Sequence, residues 1–319
     1  MKVEGPRPVS VVVVTFNSRS IVGEALAPLS KNPAVELVVV DNASADGTAE
    51  FIREEFPDAT VVLMPSNVGF AKAVNEGVRR ARHDIVMLLN PDAAITPSAV
   101  ESLVSDLETE NAGLVAPLLN NPGSPQRVVP AGLMPTIKRM GFHYSGLSRL
   151  GKRYPWSRGH YLFKDQLSSG LMDVDWVTGA CMLFTRETWE RTGGLSERWF
   201  MYAEDIDFCH RVQQLGARVI LDTQTHADHL VGQSDSTSSF KYNAAWIINL
   251  RDFYTTELAR GTWQPAAWTA VVSLGLFSRG AAFRLASLRS KSPARRDDAR
   301  RFFHYAVALL RSPMKVSSS

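Results

Sequence analysis

VVVDNAS, residues 38–44, and LLNPD, residues 88–92, decide how this 319-residue chain folds. Each is a continuous apolar run followed by a carboxylate, Asp41 in the first and Asp92 in the second. Such runs belong to strands buried on both faces, the pattern of a parallel sheet. A carboxylate at the end of one sits where open α/β sheets bind ligands, in the crevice outside the strands' carboxyl ends. Working outward, residues 9–16 read as another buried strand, 21–29 as a helix, 35–41 as a strand and 46–56 as a helix with Asp46 at its N-cap. A strand over 60–64, a helix over 70–82 with Val74, Val78 and Ala81 on one face, and a strand over 85–89 follow. This alternation predicts a mostly parallel, Rossmann-like sheet flanked by helices.

Farther on the pattern loosens. A helix over 97–108 and a strand over 113–118 precede residues 120–170, rich in Pro, Gly, Ser and Arg, which read as an irregular binding loop with one hairpin. Strand returns over 173–185 and 218–221, with helices over 186–192 and 205–215, the latter ended by Gly216. Past Ser236 the chain reads as helical. The spacing predicts an α/β catalytic domain over 1–235, split into halves at about residue 118, and a helical basic extension over 236–319.

With 45% apolar residues the chain can build a substantial core, and its two cysteines, Cys181 and Cys209, exclude a disulfide framework. With so few cysteines the chain reads as intracellular, and its N-terminal stretch lacks an apolar signal core. The net charge of +3 is uneven: from Arg279 to Ser319 ten basic residues face only Asp297 and Asp298. A basic tail on a mildly acidic body points to an anionic surface rather than to nucleic acid. Just before that tail, 265–277 is apolar but too short to span a bilayer. Beyond it Arg279, Arg284 and Arg289 are interleaved with Phe and Leu, which suits an interface with an anionic leaflet. The arginines recur every five residues and so share no single polar face. Packing on the body, or on a second copy in a homo-oligomer, is the alternative.

Thr15, Asn17 and Asp41 end the first two strands, where Asp41 can hydrogen-bond a nucleobase or ribose. The fragment 67–75 sets Asn67, Gly69 and Lys72 around a helix N-terminus, suited to phosphate or sugar oxygens. The turn after the first strand, TFNSRS, lacks GxGxxG and is a poor grip for a triphosphate, and no Walker A motif occurs. This excludes a dinucleotide oxidoreductase and argues against a nucleotidyltransferase. Asp92, with Asn90 before it, supplies one hard oxygen ligand for Mg2+ or Mn2+, whose remaining ligands come from a diphosphate. The run Tyr202-Ala203-Glu204-Asp205-Ile206-Asp207 opens a helix with three carboxylates. Aromatic neighbours partly desolvate them, which raises a carboxyl toward the range of a useful base. Asp205 is assigned as that base, Glu204 as a supporting acceptor contact, and Asp207 as a cap or arginine partner. His229, in a loop with Gly232 and Ser234, is a candidate for the diphosphate or metal, while His226 reads as structural.

Taken together these stretches resemble the family 2 glycosyltransferases, which have the GT-A fold, and within them the bacterial rhamnosyltransferase branch. The motifs are TFNS (15–18), VVDNASADGT (39–48), NVGFAKAVNEG (67–77), LLNPDA (88–93), DWVTGACMLFTR (175–186), GGLSERWFMYAEDIDFCHR (193–211) and HLVGQS (229–234). The resemblance implies that Thr15, Asn17 and Asp41 bind the nucleoside and that Asp92 holds metal and diphosphate. It further implies that Trp176, Gly179 and Ala180 floor the sugar and acceptor pocket, that Asp205 is the base and that His229 lies near the diphosphate. Where the family commonly has Asp-x-Asp, this chain has Asn90, a departure that bears on metal affinity and identity. The implied reaction is an inverting transfer of L-rhamnose from dTDP-L-rhamnose to a GlcNAc-diphospho-polyprenol, on the cytoplasmic face of the membrane. A non-catalytic nucleotide-sugar-binding protein on the same fold is the rival, opposed by the presence of base, metal and nucleoside candidates together.

Overall fold

A computed structural model of the chain describes residues 7–121, 128–229 and 242–313. The elements, in order, begin β1 (Val9–Thr15), α1 (Val22–Leu26), β2 (Val35–Asp41), α2 (Thr48–Glu55), β3 (Thr60–Leu63) and α3 (Phe70–Arg80). They continue β4 (Ile85–Leu89), β5 (Ala93–Ala94), α4 (Pro97–Thr109), β6 (Leu114–Asn120), β7 (Val128–Gly132), α5 (Ile137–Ser145) and β8 (Tyr161–Phe163). Then come β9 (Leu171–Asp173), β10 (Trp176–Val177), β11 (Cys181–Thr185), α6 (Arg186–Thr192), α7 (Glu204–Gln214) and β12 (Val219–His229). The last three are α8 (Ala245–Phe253), α9 (Gln264–Ser290) and α10 (Pro293–Arg311). They form two compact units, one of residues 1–131 and 167–237, the other of 132–166 and 238–319.

The first unit is an α/β layer. Its sheet runs β3-β2-β1-β4-β11-β6-β12-β5, with β9 also paired to β12. β3, β2, β1 and β4 are parallel, as the strand–helix alternation requires. β11 is antiparallel to both β4 and β6, so the sheet is mixed. β1 and β4 are buried along their whole length, which explains their unbroken apolar sequence. Helix α3 lies on β1 and β2 through Ala71, Ala73, Val74, Gly77 and Val78. Its small residues permit a close approach: a Cβ at Gly77 would stand 2.4 Å from Val12 Cγ1 and 3.0 Å from Val40 Cγ2.

Three expectations are corrected. The run over 173–185 is three short strands, β9, β10 and β11, because turns interrupt it at Val174-Asp175 and at Thr178-Gly179-Ala180. The strand expected to end at Leu221 continues to His229, so His226 and His229 lie on a strand and not in a loop; Gly232 and Ser234 fall outside the described residues. Residues 120–170 contain a helix, α5, besides strand segments.

The second unit packs α9 against α10 and α5. Fully buried Trp268 donates its indole N–H to the Pro135 carbonyl (2.6 Å) and stacks on Tyr254. Gly275 sits so close beneath Tyr144 that a Cβ would meet the ring at 2.3 Å. Buried Arg251 donates to the carbonyls of Leu309 (2.8 Å) and Pro313 (3.0 Å).

The tight seat of α3 generates a stability test. Gly77→Val should lower the unfolding free energy by about 2 kcal/mol in urea denaturation, through overpacking against Val12 and Val40 that outweighs its better helix propensity. An unchanged midpoint would mean that α3 lies farther from β1 than described.

Candidate active site

The parallel register sets Thr15 opposite Asp41 at the carboxyl edge of β1 and β2. Thr15 Oγ1 donates to Asp41 Oδ1 (3.0 Å), and the Ser44 N–H donates to Asp41 Oδ2 (2.9 Å). Asn17, in the left-handed region at φ 50°, accepts the Ala45 N–H on its side-chain oxygen (2.8 Å) and donates its own N–H to Ser44 Oγ (2.9 Å). The three predicted nucleoside residues therefore occupy one corner, and each also braces it.

Asn42 is the residue that the site prediction missed. Its amide donates to Asn67 Oδ1 (2.9 Å) and to the Gly69 carbonyl (3.2 Å), and its oxygen accepts the Val68 N–H (3.0 Å). It clamps the turn before α3 to the end of β2. A buried amide in the middle of VVVDNAS was the available signal. Asn67 Oδ1 also accepts the Gly69 N–H (3.1 Å), and Lys72 stands exposed in the first turn of α3.

The two-residue β5 pairs antiparallel with the end of β12, setting Ala93 opposite His229. That pairing brings His229 Nε2 to 3.1 Å from Oδ1 of buried Asp92. An imidazole nitrogen and a carboxylate oxygen at this separation suit a divalent cation that takes its other ligands from a diphosphate and water. No group of three or more His, Cys, Asp or Glu side chains with metal-holding geometry occurs among the described residues. Any cation here therefore depends on ligand oxygens. His226 projects from the other face of β12 and lines a separate groove of about 500 Å³ with Thr96, Ser98 and Gln224.

β11 starts where β4 ends, and this junction joins the Asn90–Asp92 turn to α7. The Asn90 N–H donates to the Ala180 carbonyl (2.8 Å), while the neighbouring Gly179 N–H donates to Asp205 Oδ2 (3.1 Å). A Cβ at Gly179 would touch the Phe70 ring (3.4 Å) and stand 3.7 Å from Asp205 Cβ. Trp176 and Ala180 are buried beside this junction in β10 and at the start of β11, so their side chains contribute packing.

Two successive left-handed residues, Tyr202 (φ 73°) and Ala203 (φ 80°), turn the chain into α7 and split its carboxylates by environment. Asp207 faces inward to Arg211, at 2.6 Å, as expected of an arginine partner. Asp205 is half-buried and accepts N–H groups from Gly179 and Ile206. Glu204 is sealed in, and its Oε2 has no hydrogen-bond partner. Burial, followed by the neighbouring Asp205 charge, pushes the Glu204 carboxyl up to about 8. Burial raises Asp205 as well, opposed by the hydrogen bonds from Gly179, Ile206 and Thr178. Burial thus raises both neighbouring carboxyls, and their closeness disfavours ionising the two together, so the pair holds a proton more tightly than free carboxyls do.

The chain is similar to known glycosyltransferases. The family profile described as glycosyl transferase family 2 matches residues 10–161, and that of glycosyl transferase family 21 matches residues 159–289. The chain is 27% identical over 288 residues to the N-acetylglucosaminyl-diphospho-decaprenol L-rhamnosyltransferase of Mycobacterium tuberculosis, covering 84% of this chain and 91% of that one. It is 26% identical over 212 residues to a low-salt glycan biosynthesis hexosyltransferase of Haloferax volcanii, covering 64% and 61%. Among solved structures, a mannosyltransferase from Pyrobaculum calidifontis in complex with GDP-Man and Mn2+ superposes with a TM-score of 0.55 at 20% identity, over 95% of this chain and 85% of that one. GalNAc-T7 with UDP, GalNAc and Mn2+ gives a TM-score of 0.58 at 13% identity, over 95% and 56%. These superpositions establish the GT-A fold.

The protonation of Glu204 generates a pH test. Its folded value, about 8, lies above its unfolded value of 4.5, so the native state holds the extra proton between them. Stability therefore falls as pH rises through that window. Glu204→Gln, which cannot titrate, should melt a few degrees above wild type at pH 8, with the gap closing toward pH 5. A gap independent of pH would show that Glu204 is already ionised in the folded protein.

Proposed function

We propose that this chain, which belongs to glycosyltransferase family 2, transfers L-rhamnose from dTDP-L-rhamnose to a GlcNAc-diphospho-polyprenol with inversion at the anomeric carbon. The observation that carries the reading is the run of short contacts joining three acidic centres. Asn42 ties the Asp41 corner to the start of α3, and Gly179-Ala180 ties the Asn90–Asp92 turn to Asp205. A nucleoside corner, a cation pair and a base at one sheet edge are the parts that a nucleotide-sugar transfer needs.

The chain's own residues supply the steps. Thr15, Asn17 and Asp41 hold the nucleoside, and Asn67, Gly69, Lys72 and Asn90 border the diphosphate and sugar. Asp205 accepts the proton of an acceptor hydroxyl as that oxygen bonds to the anomeric carbon, and the bond from that carbon to the diphosphate oxygen breaks. One displacement from the face opposite the leaving group inverts the centre. Asp92 and His229 would hold Mg2+ or Mn2+, which would supply positive charge beside the diphosphate. A proton retained on buried Glu204 would relieve its repulsion of a charged Asp205.

The same reading places the enzyme on the inner face of the cell membrane, attached through the second unit. Helix α9 runs 27 residues, long and apolar enough by length and composition to cross a bilayer. Its Trp268, Val272 and Leu276 are nevertheless buried within that unit. Arg279 also turns inward, donating to the His143 carbonyl (3.0 Å) and lying over the Tyr144 ring, so it leaves the series of outward arginines. What remains outside is a stripe of Trp263, Ala270, Leu274, Ala281, Leu285 and Leu288, flanked by exposed Arg284 and Arg289. An apolar stripe edged by arginine supports a helix lying in the interface of an anionic leaflet.

Transfer is tested by incubating the protein with dTDP-L-rhamnose, Mg2+ and a GlcNAc-diphospholipid and following the disaccharide product. Asp205→Asn should lower turnover by a factor of about 10² or more while donor affinity persists. Asp92→Ala should weaken donor binding only when the metal is present. Normal turnover in Asp205→Asn removes the assigned base. Attachment is tested by sedimentation with phosphatidylglycerol vesicles, where Arg284→Ala with Arg289→Ala should weaken binding and added salt should do the same. Equal binding to phosphatidylcholine vesicles would refute the electrostatic component.

A further inference from the structure

Phe200 is a large apolar side chain left 58% exposed four residues before Glu204, while Trp199 beside it is buried. Its backbone is not loose. The Phe70 N–H donates to the Phe200 carbonyl (2.9 Å), closing the loop before α7 onto the start of α3. Residue 69 has to be glycine for this contact: a Cβ there would stand 2.4 Å from the Phe200 carbonyl oxygen and 3.0 Å from Cδ2 of its ring. The ring thus lies against Gly69. The next residue, Phe70, packs at Gly179, whose N–H holds Asp205. Farther along α3, Asn75 exchanges hydrogen bonds with the Leu195 backbone (2.9 and 3.0 Å), fixing the other end of the same loop.

We infer that Phe200 is the face on which the acceptor sugar stacks, a pyranose that presents its C–H face to the ring and a hydroxyl to Asp205. This rests on the glycosyltransferase reading and adds to it the residue that selects the acceptor. An aromatic ring carries negative charge on its face, which attracts the weakly positive C–H groups on one side of a pyranose. A ring held by backbone contacts loses little freedom on binding, unlike a long flexible side chain. The acceptor rather than the donor is assigned because Phe200 is bonded to Phe70, whose ring packs at Gly179 beside Asp205, whereas the cation pair Asp92–His229 lies at the β5–β12 pairing. Truncation of the ring leaves the Phe70–Phe200 backbone bond intact, so the loop should survive substitution.

The test is the kinetics of F200A, F200L, F200Y and F200W with dTDP-L-rhamnose and GlcNAc-diphosphate on a short water-soluble alkyl chain. A panel of nucleotide sugars and glycosides, read by nucleoside diphosphate release from wild type, first judges the donor and acceptor reading by itself; if it selects another pair, that pair is used. Should no pair turn over, saturation-transfer NMR with the same glycosides reads contact without chemistry. F200A should raise the acceptor KM about tenfold and leave the donor KM within about twofold, with Tyr and Trp restoring it and Leu failing to. In the NMR experiment the glycoside signal should fall in F200A and return in F200W. An unchanged acceptor KM overturns the inference, as does an equal rise for the donor or rescue by Leu. A loss seen only when the acceptor carries a polyprenyl chain also overturns it, because the ring would then contact lipid.

Discussion

A single backbone hydrogen bond, from the Phe70 N–H to the Phe200 carbonyl, joins the half of the sheet that carries Asp41 to the helix that carries Asp205. Residue 69 permits it by having no side chain and by adopting φ 87°, a conformation that other residues avoid. On one side of that bond Asn42 fixes the turn to β2, and on the other the loop runs straight into the left-handed pair Tyr202–Ala203. Elements more than a hundred residues apart in sequence are thereby set to within a hydrogen bond's tolerance. Positioning of that order is what a displacement reaction requires, since the base must lie within reach of the attacking hydroxyl.

The left-handed pair has a second effect. It starts α7 so that consecutive residues face different surroundings, Glu204 inward and Asp205 toward the open edge. Two adjacent carboxylates with equal access to water would both ionise and repel. Burial instead raises both carboxyls, the Asp205 charge adds to the rise at Glu204, and N–H donors from Gly179 and Ile206 oppose it at Asp205. Residue type matters little here, since Glu and Asp differ little in water; the surroundings set the shifts.

Much of this was legible from the sequence because it rests on patterns that one chain displays. Buried parallel strands must be apolar throughout, so β1, β2 and β4 and the carboxylates at their ends announced themselves. Asp207 reads as an arginine partner because Arg211 follows one helical turn later. What stayed hidden depends on neighbours distant in sequence. β12 carries Asp222, Thr223, Gln224, Thr225, His226, Asp228 and His229, a polar series that resembles a loop; β6 and β5 hold it extended across a bulge. Helix α5, with Gly141 and three aromatic or imidazole rings, has weak intrinsic helicity and owes its form to packing against α9. The burial of Glu204 could not be read at all, because acidic residues open many helices for the sake of the dipole alone.

The extension of β12 alters how a cation would behave here. A histidine in a flexible loop can follow a metal, whereas His229 is fixed by the β5 pairing at 3.1 Å from Asp92. Two protein ligands fall well short of the six or more that Mg2+, Mn2+ or Ca2+ accept, and no third acid or imidazole joins them among the described residues. Replacing the first acid of Asp-x-Asp by Asn90 removes a charge from the site as well. Asp92 and His229 alone would therefore hold a cation weakly, and diphosphate oxygens would raise its affinity by completing the shell. By linkage, the cation raises donor affinity by the same factor. On that argument the asparagine leaves chemistry in place and transfers part of the cation's grip from the protein to the substrate.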